Sequence, residues 1–126
     1  MSDQAAPLVL LVDDEVLIHD LVAEALVEAG YAVAPAHDGD AALALVETSD
    51  GLRGLITDIN LGSGPNGWEV AKRARQLYPQ VAVVYVSGGN PQEWVSEGVP
   101  NSAMITKPFA PAQVVTAISS LINAAA

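Results

Sequence analysis

Five short apolar runs, Leu8 to Val12, Tyr31 to Ala36, Leu52 to Ile59, Val81 to Val86 and Ala103 to Thr106, recur along the chain with segments of helical period between them. Such runs have no polar face to turn to water, so each predicts a strand covered on both sides, as in a parallel sheet. The intervening segments supply the covers. In the first, Ile18, Leu21, Val22, Ala25, Leu26 and Ala29 fall at i, i+3, i+4, i+7, i+8 and i+11, and Gly30 follows as a helix-ending residue. Asp38 to Glu47 predicts a second helix that runs out at Ser49-Asp50-Gly51. Asn66 caps a third, with Val70, Ala71, Ala74, Leu77 and Tyr78 inward and Pro79 as its stop. The last opens at Pro111 and buries Val114, Val115, Ile118, Leu121 and Ile122. Only Gly88 to Ser102 breaks the pattern: Gln92 to Glu97 alone lacks Gly and Pro, which predicts a short or irregular helix. Right-handed crossovers on five such strands give an α/β, doubly wound parallel sheet of order 2-1-3-4-5 with helices on both faces.

The 126 residues suffice for one domain, and residues 1–126 are read as a single one. Fifteen Asp and Glu against five Lys and Arg give a net charge of −10, which argues against a nucleic-acid surface, because phosphate binding needs clustered bases. The absence of cysteine excludes disulfides, thiolate zinc sites and cysteine nucleophiles, and fits a reducing, cytoplasmic location. No apolar run approaches the roughly 18 residues that a membrane helix needs. Met1 to Pro7 carries acid where a signal peptide carries base.

In a sheet of that order, ligands sit outside the carboxyl ends of the strands, near the switch point between strands 1 and 3. The predicted ends read Asp13-Asp14-Glu15 after strand 1, Thr57-Asp58-Ile59-Asn60 at strand 3, Ser87-Gly88 at strand 4 and Thr106-Lys107-Pro108 at strand 5. Three carboxylates, a hydroxyl and an ammonium would then share one crevice. Carboxylates so close raise one another's pKa unless a cation intervenes, and oxygen donors without His or Cys select a hard cation such as Mg²⁺. A carboxylate beside such an ion is a competent nucleophile toward phosphorus.

On these residues the chain resembles a receiver domain of two-component response regulators, of the stand-alone type, from Leu8 to about Ile122. Asp13, Asp14, Asp58, Ser87 and the Lys107-Pro108 pair meet the family's motifs. The resemblance implies a flavodoxin-like fold in which Asp58 accepts a phosphoryl group from a sensor histidine kinase or histidine phosphotransfer protein. It implies that Mg²⁺ is bound by Asp14, Asp58 and the backbone carbonyl of Asn60, with Asp13 acting mostly through water. Ser87 and Lys107 would hold the phosphoryl oxygens, and the bond before Pro108 would be cis, turning Lys107 inward. No enzyme activity is expected beyond assistance to its own phosphorylation and dephosphorylation, and output would pass to a protein partner through strand 4, helix 4, strand 5 and helix 5. Two alternatives stand beside this reading. A flavodoxin-like FMN carrier would need a Ser/Thr/Gly-rich phosphate loop where Asp13-Asp14-Glu15 stands, and an unphosphorylated adaptor would have no use for Asp58, Ser87 and Lys107.

Some positions depart from the family pattern. Ser87 replaces the commoner Thr, and Met104 stands at the usual switch aromatic, with Tyr85 two residues before Ser87. Either Met104 repacks, or the signal travels through the Ser87 to Pro91 loop. The glycine-rich loop Gly62 to Gly67 is expected to be mobile, and small Gly89 to admit the water that ends a short-lived phosphoryl state. His19 and His37 are read as ordinary surface residues, Asp20, Glu24 and Glu28 as a solvated face or docking edge, and Lys72, Arg73 and Arg75 as pairing with either a local acid or a partner. Trp68 is read as packing, and Trp94 as either packing or an exposed anchor.

Overall fold

Alternate residues of each strand face opposite ways, and here both directions are apolar, so one sheet supports two cores. The computed structural model describes residues 6–89 and 91–125; residues 1–5 of the amino-terminal segment discussed above lie outside them. In chain order the elements are β1 (Leu8–Val12), α1 (Val16–Glu28), β2 (Ala32–Ala36), α2 (Gly39–Thr48), β3 (Leu52–Asp58), α3 (Gly67–Leu77), β4 (Ala82–Ser87), α4 (Pro91–Glu97), β5 (Ser102–Thr106) and α5 (Pro111–Ala125). All strand pairs are parallel and their order is β2-β1-β3-β4-β5, so the switch point lies between β1 and β3. Val9, Leu11, Ile56 and Val84 pack with Val22 and Leu26 of α1 and Val114, Ile118 and Ile122 of α5. Leu10, Val12, Leu55 and Tyr85 pack with Val46 of α2 and Trp68, Val70, Ala71 and Ala74 of α3.

The helix ends follow local chemistry. Asp38 caps α2 by accepting from the Ala41 N–H at 2.8 Å. Asn66 and Glu69 close a capping box on α3, each side chain accepting from the other's N–H, at 3.0 and 3.1 Å. Gly30 has φ of +100° just beyond α1, where a side chain would be strained. The glycine-rich loop before α3 is seated on the start of α2: a Cβ on Gly39 would lie 2.0 Å from the Pro65 carbonyl oxygen.

Three expectations need correction. The inner face of α1 is His19, Val22 and Leu26, while Leu21 and Ala29 are exposed. The stripe is turned because His19 is itself buried, donating from Nε2 to the Leu11 carbonyl at 3.2 Å, so it is no surface residue. Its ring lies 4.5 Å from that of His37, which is exposed and donates from Nδ1 to the Asp13 carbonyl at 3.1 Å. On α3, Leu77 also lies largely outside the core, at 39% exposure, because the inner face ends with Ala74 before the chain turns at Pro79.

Candidate functional site

Register brings the site together. β1 and β3 pair through Val12 and Thr57, so Asp13 and Asp58 emerge side by side; β4 and β5 pair through Ser87 and Thr106, so Lys107 emerges beside Ser87. The backbone continues to organise these ends. The Asp13 N–H donates to Ala36, the Glu15 N–H to Asp13 Oδ1 at 2.8 Å, and the Asn60 N–H to Asp58 Oδ1 at 3.3 Å. The Lys107 N–H donates to the Ser87 carbonyl at 2.8 Å, and the Lys107–Pro108 bond is cis. Lys107 Nζ then reaches back across the crevice, donating to Asp58 Oδ2 at 2.8 Å and to Glu15 Oε1 at 2.7 Å. Ser87 Oγ accepts from the Gly89 N–H at 3.2 Å, so its own proton is the donor it can offer to a ligand oxygen.

Asp13, Asp14, Glu15 and Asp58 each offer a carboxylate oxygen within 4.8 Å of the others. Against four carboxylates stands one ammonium, and the charges respond accordingly. Burial pushes the Asp13 carboxyl above its usual value; the Glu15 N–H and Lys107 act against the rise, and the nearby Asp58 and Glu15 charges add to it. Partial burial acts to lower the Lys107 pKa, but the hydrogen bonds to Asp58 and Glu15 outweigh it and hold the ammonium above the ordinary lysine range. The residual negative charge, the absence of nitrogen or sulfur donors from this cluster and the mixed exposure of its members suit a hard, partly hydrated cation.

Asp13, Asp14, Asp58 and Lys107, singled out in the sequence, are thus brought together, and Ser87 ends the strand next to Asp58. Two contributors were not read from the sequence. Glu15 reads as one more acid in a run, and its place directly after Asp13-Asp14 is the available signal. Gly67 is the other: a Cβ there would lie 2.2 Å from the Asp58 carbonyl oxygen, so α3 starts against the backbone of the central aspartate only because the residue is glycine. Its N–H donates to the Ile59 carbonyl at 2.9 Å. The three bases of α3 have local partners: Lys72 with Glu97, Arg73 with Glu47, and Arg75 with the Pro100 carbonyl. Trp68 is buried against Tyr85, their rings 4.6 Å apart. Trp94 is half-buried and donates to Ser102 Oγ at 3.0 Å, so its indole packs against the protein.

Beside Lys107 a groove of about 400 Å³ opens between α1 and the β5–α5 connection, lined by Ile18, Leu21, Val22, Pro108, Phe109 and Pro111. Leu21 is 48% exposed, and the neighbouring Leu17 reaches 73%.

A doubly wound parallel sheet with an acidic crevice at the β1 and β3 ends and an inward lysine from β5 defines a signalling module of the receiver class. The chain belongs to the response regulator receiver domain family, whose model matches residues 9–119. Among solved structures it is similar to a response regulator receiver protein from Sinorhizobium medicae, at 39% identity and a TM-score of 0.90, covering 96% of this chain and 98% of that one. It is also similar to a CheY-like receiver domain protein from Methanospirillum hungatei, at 25% identity and a TM-score of 0.83, covering 95% and 96% of the two chains. The chemotaxis response regulator CheY4 of Vibrio cholerae matches at 28% identity and a TM-score of 0.80, over 92% of this chain and 98% of that one. A comparison with curated protein sequences gives no significant match. No helix among the described residues is long and apolar enough to cross a membrane.

Proposed function

We propose that this receiver domain, spanning residues 1–126, is the phosphoacceptor of a two-component phosphorelay: Asp58 takes a phosphoryl group from a histidine kinase or histidine phosphotransfer protein, with Mg²⁺ present, and the chain then changes its protein contacts. The observation that carries this reading is the convergence of Asp13, Asp14 and Asp58 on one crevice with Lys107 Nζ 2.8 Å from Asp58 Oδ2. Asp13, Asp14, Asp58 and the Asn60 carbonyl are the groups that would hold the ion, Asp13 mostly through water. When bound, Mg²⁺ neutralises phosphoryl oxygens as charge moves during in-line transfer.

A carboxylate oxygen of Asp58 attacks phosphorus; an O–P bond forms, the P–N bond to the donor imidazole breaks, and the imidazole leaves with its electron pair and is protonated. The Asn60 N–H orients the Asp58 carboxylate for this attack. Lys107 and the Ser87 hydroxyl donate to the phosphoryl oxygens, and Lys107 is well suited because its raised pKa keeps it charged across the physiological range. Return to the resting state requires water to attack phosphorus and release inorganic phosphate, and the open space over Gly89 favours a short-lived adduct.

The groove between α1 and the β5–α5 connection suits the donor: exposed Leu21 shares its lining with Lys107, so a helix docked there would bring a phosphohistidine to the crevice. The acids Asp20, Glu24 and Glu28 lie exposed on the same helix. We place output on the β4, α4, β5 and α5 face, and the working compartment in the cytoplasm, where such relays operate. Membership of the receiver family sets aside the electron-carrier reading.

The test is intact-mass measurement after incubation with Mg²⁺ and a small phosphodonor such as acetyl phosphate. Wild type should gain one hydroxylamine-labile adduct of about 80 Da, the mass of one phosphoryl group, and Asp58→Asn none. No adduct in wild type would support the unphosphorylated adaptor, and an adduct persisting in Asp58→Asn would move the acceptor elsewhere.

A further inference from the structure

Glu15 stands at the N-cap of α1 but makes no side-chain cap hydrogen bond, so the usual reason for an acid at this position does not hold it there. Its carboxylate instead reaches across to the end of β5 and accepts a hydrogen bond from Lys107 Nζ at 2.7 Å, while Asp58 accepts another at 2.8 Å. The two partners differ in setting. The Asp58 side chain is 9% exposed and that of Glu15 54% exposed, so Glu15 holds the solvent end of a shared ammonium. An ion pair of that exposure is weak and readily exchanged for a stronger anion. A phosphoryl group on Asp58 would bring such an anion to Lys107, into a cluster where four carboxylates already lie within 4.8 Å of one another.

We propose, on the phosphoacceptor reading above, that Glu15 is a positioning residue: it parks Lys107 at the mouth of the crevice in the resting protein and competes with the incoming phosphoryl group for the same ammonium. Its carboxylate is released as Lys107 turns to the phosphoryl oxygens. Glu15 thereby slows phosphoryl uptake and shortens its stay, acting through Lys107 and not as a ligand of the metal. Because Glu15 also borders the groove beside α1, its release changes the charge of that edge when Asp58 is occupied.

Four measurements on Glu15→Gln test this. With Mg²⁺ and acetyl phosphate, uptake followed by intact mass should quicken about fivefold and loss of the adduct should slow, since a competing charge a few ångströms away has been removed. In a Lys107→Met background the same substitution should change the residual uptake rate by less than about twofold, as a cycle on coupled residues requires. An equal acceleration without Lys107, or a slowing in its presence, overturns the proposal. Mg²⁺ affinity, read by tryptophan fluorescence, should stay within about threefold of wild type; a loss beyond about tenfold would make Glu15 a metal ligand instead. Finally, the Lys107 side-chain NMR signal of the metal-free protein should shift in Glu15→Gln. This readout needs no phosphorylation, so an unshifted signal overturns the pairing even where wild type takes an adduct, whereas a missing adduct with a shifted signal counts against the phosphoacceptor reading alone.

Discussion

Helices α3 and α4 both follow strands that end at the acidic crevice, yet the chain secures them in opposite ways. α3 has eleven residues, a closed capping box at its start, and buries Gly67, Trp68, Val70, Ala71 and Ala74. α4 has seven, none of Gln92 to Glu97 is fully buried, and Val95 is 84% exposed. What fixes α4 lies at its far end. There Glu97 pairs with Lys72, the Val99 N–H donates to the Tyr85 hydroxyl at 3.0 Å, Trp94 donates to Ser102, and Arg75 donates to the Pro100 carbonyl at 2.5 Å. Its near end follows Gly88 and Gly89, the latter at φ +119°, directly after Ser87. The start of α3 is therefore held firmly against Asp58, whereas α4 is pinned where it leaves and lightly held where it begins.

The largest effect should come from one glycine in each region, Gly67 at the start of α3 and Gly88 directly after β4. Gly67→Ala places a Cβ against the Asp58 backbone and should cost about 3 kcal/mol or more, read as the shift in urea midpoint. Gly88→Ala meets no atom within 4 Å and should stay within about 0.5 kcal/mol. Equal costs at the two sites would erase the contrast. Next comes the pin itself: Tyr85→Phe keeps the ring against Trp68 but leaves the buried Val99 N–H without its partner, for about 1–2 kcal/mol in the same assay.

The smallest effect, and the one with a pH signature, sits at the crevice. The Asp13 pKa is raised on folding, so the folded state binds that proton more tightly: Asp13 adds stability as pH falls through the raised value and subtracts it above. Asp13→Asn should thus stabilise the metal-free protein at pH 7, by about 1 kcal/mol, and the gain should shrink on acidification, as thermal melts will record. Glu47 on the α2–α3 side has the opposite sign, since its hydrogen bond with Arg73 lowers its pKa. A gain in Asp13→Asn that grows toward acid pH would contradict the assigned cause.

The strands, their order and the residues gathered at their ends were legible because each is written locally: apolar runs, a period, and a charge just past each run. His19 was not, because a lone histidine on an apolar stripe has the same spelling whether it points outward or finds the Leu11 carbonyl. Leu21 reads as inward for the same reason, as periodicity fixes the angular spacing of a stripe but not which edge meets the neighbouring helix. The need for glycine at Gly67 depends on how the loop before it folds back onto the Asp58 backbone, and the Glu15–Lys107 contact joins side chains 92 residues apart. Trp94 is ambiguous in the sequence between packing and recognition because its partner, Ser102, lies across a turn whose path the sequence does not specify.

The central claim joins Asp58 chemistry to movement in one connection and not the other. Backbone hydrogen exchange, measured with Mg²⁺ and with and without acetyl phosphate, tests both halves together. In wild type, the donor should change exchange across the Ser87 to Glu97 segment and leave the α3 core, Val70 to Ala74, unchanged; in Asp58→Asn it should change neither. Equal changes in the two segments, or any donor effect that survives in Asp58→Asn, would contradict the account.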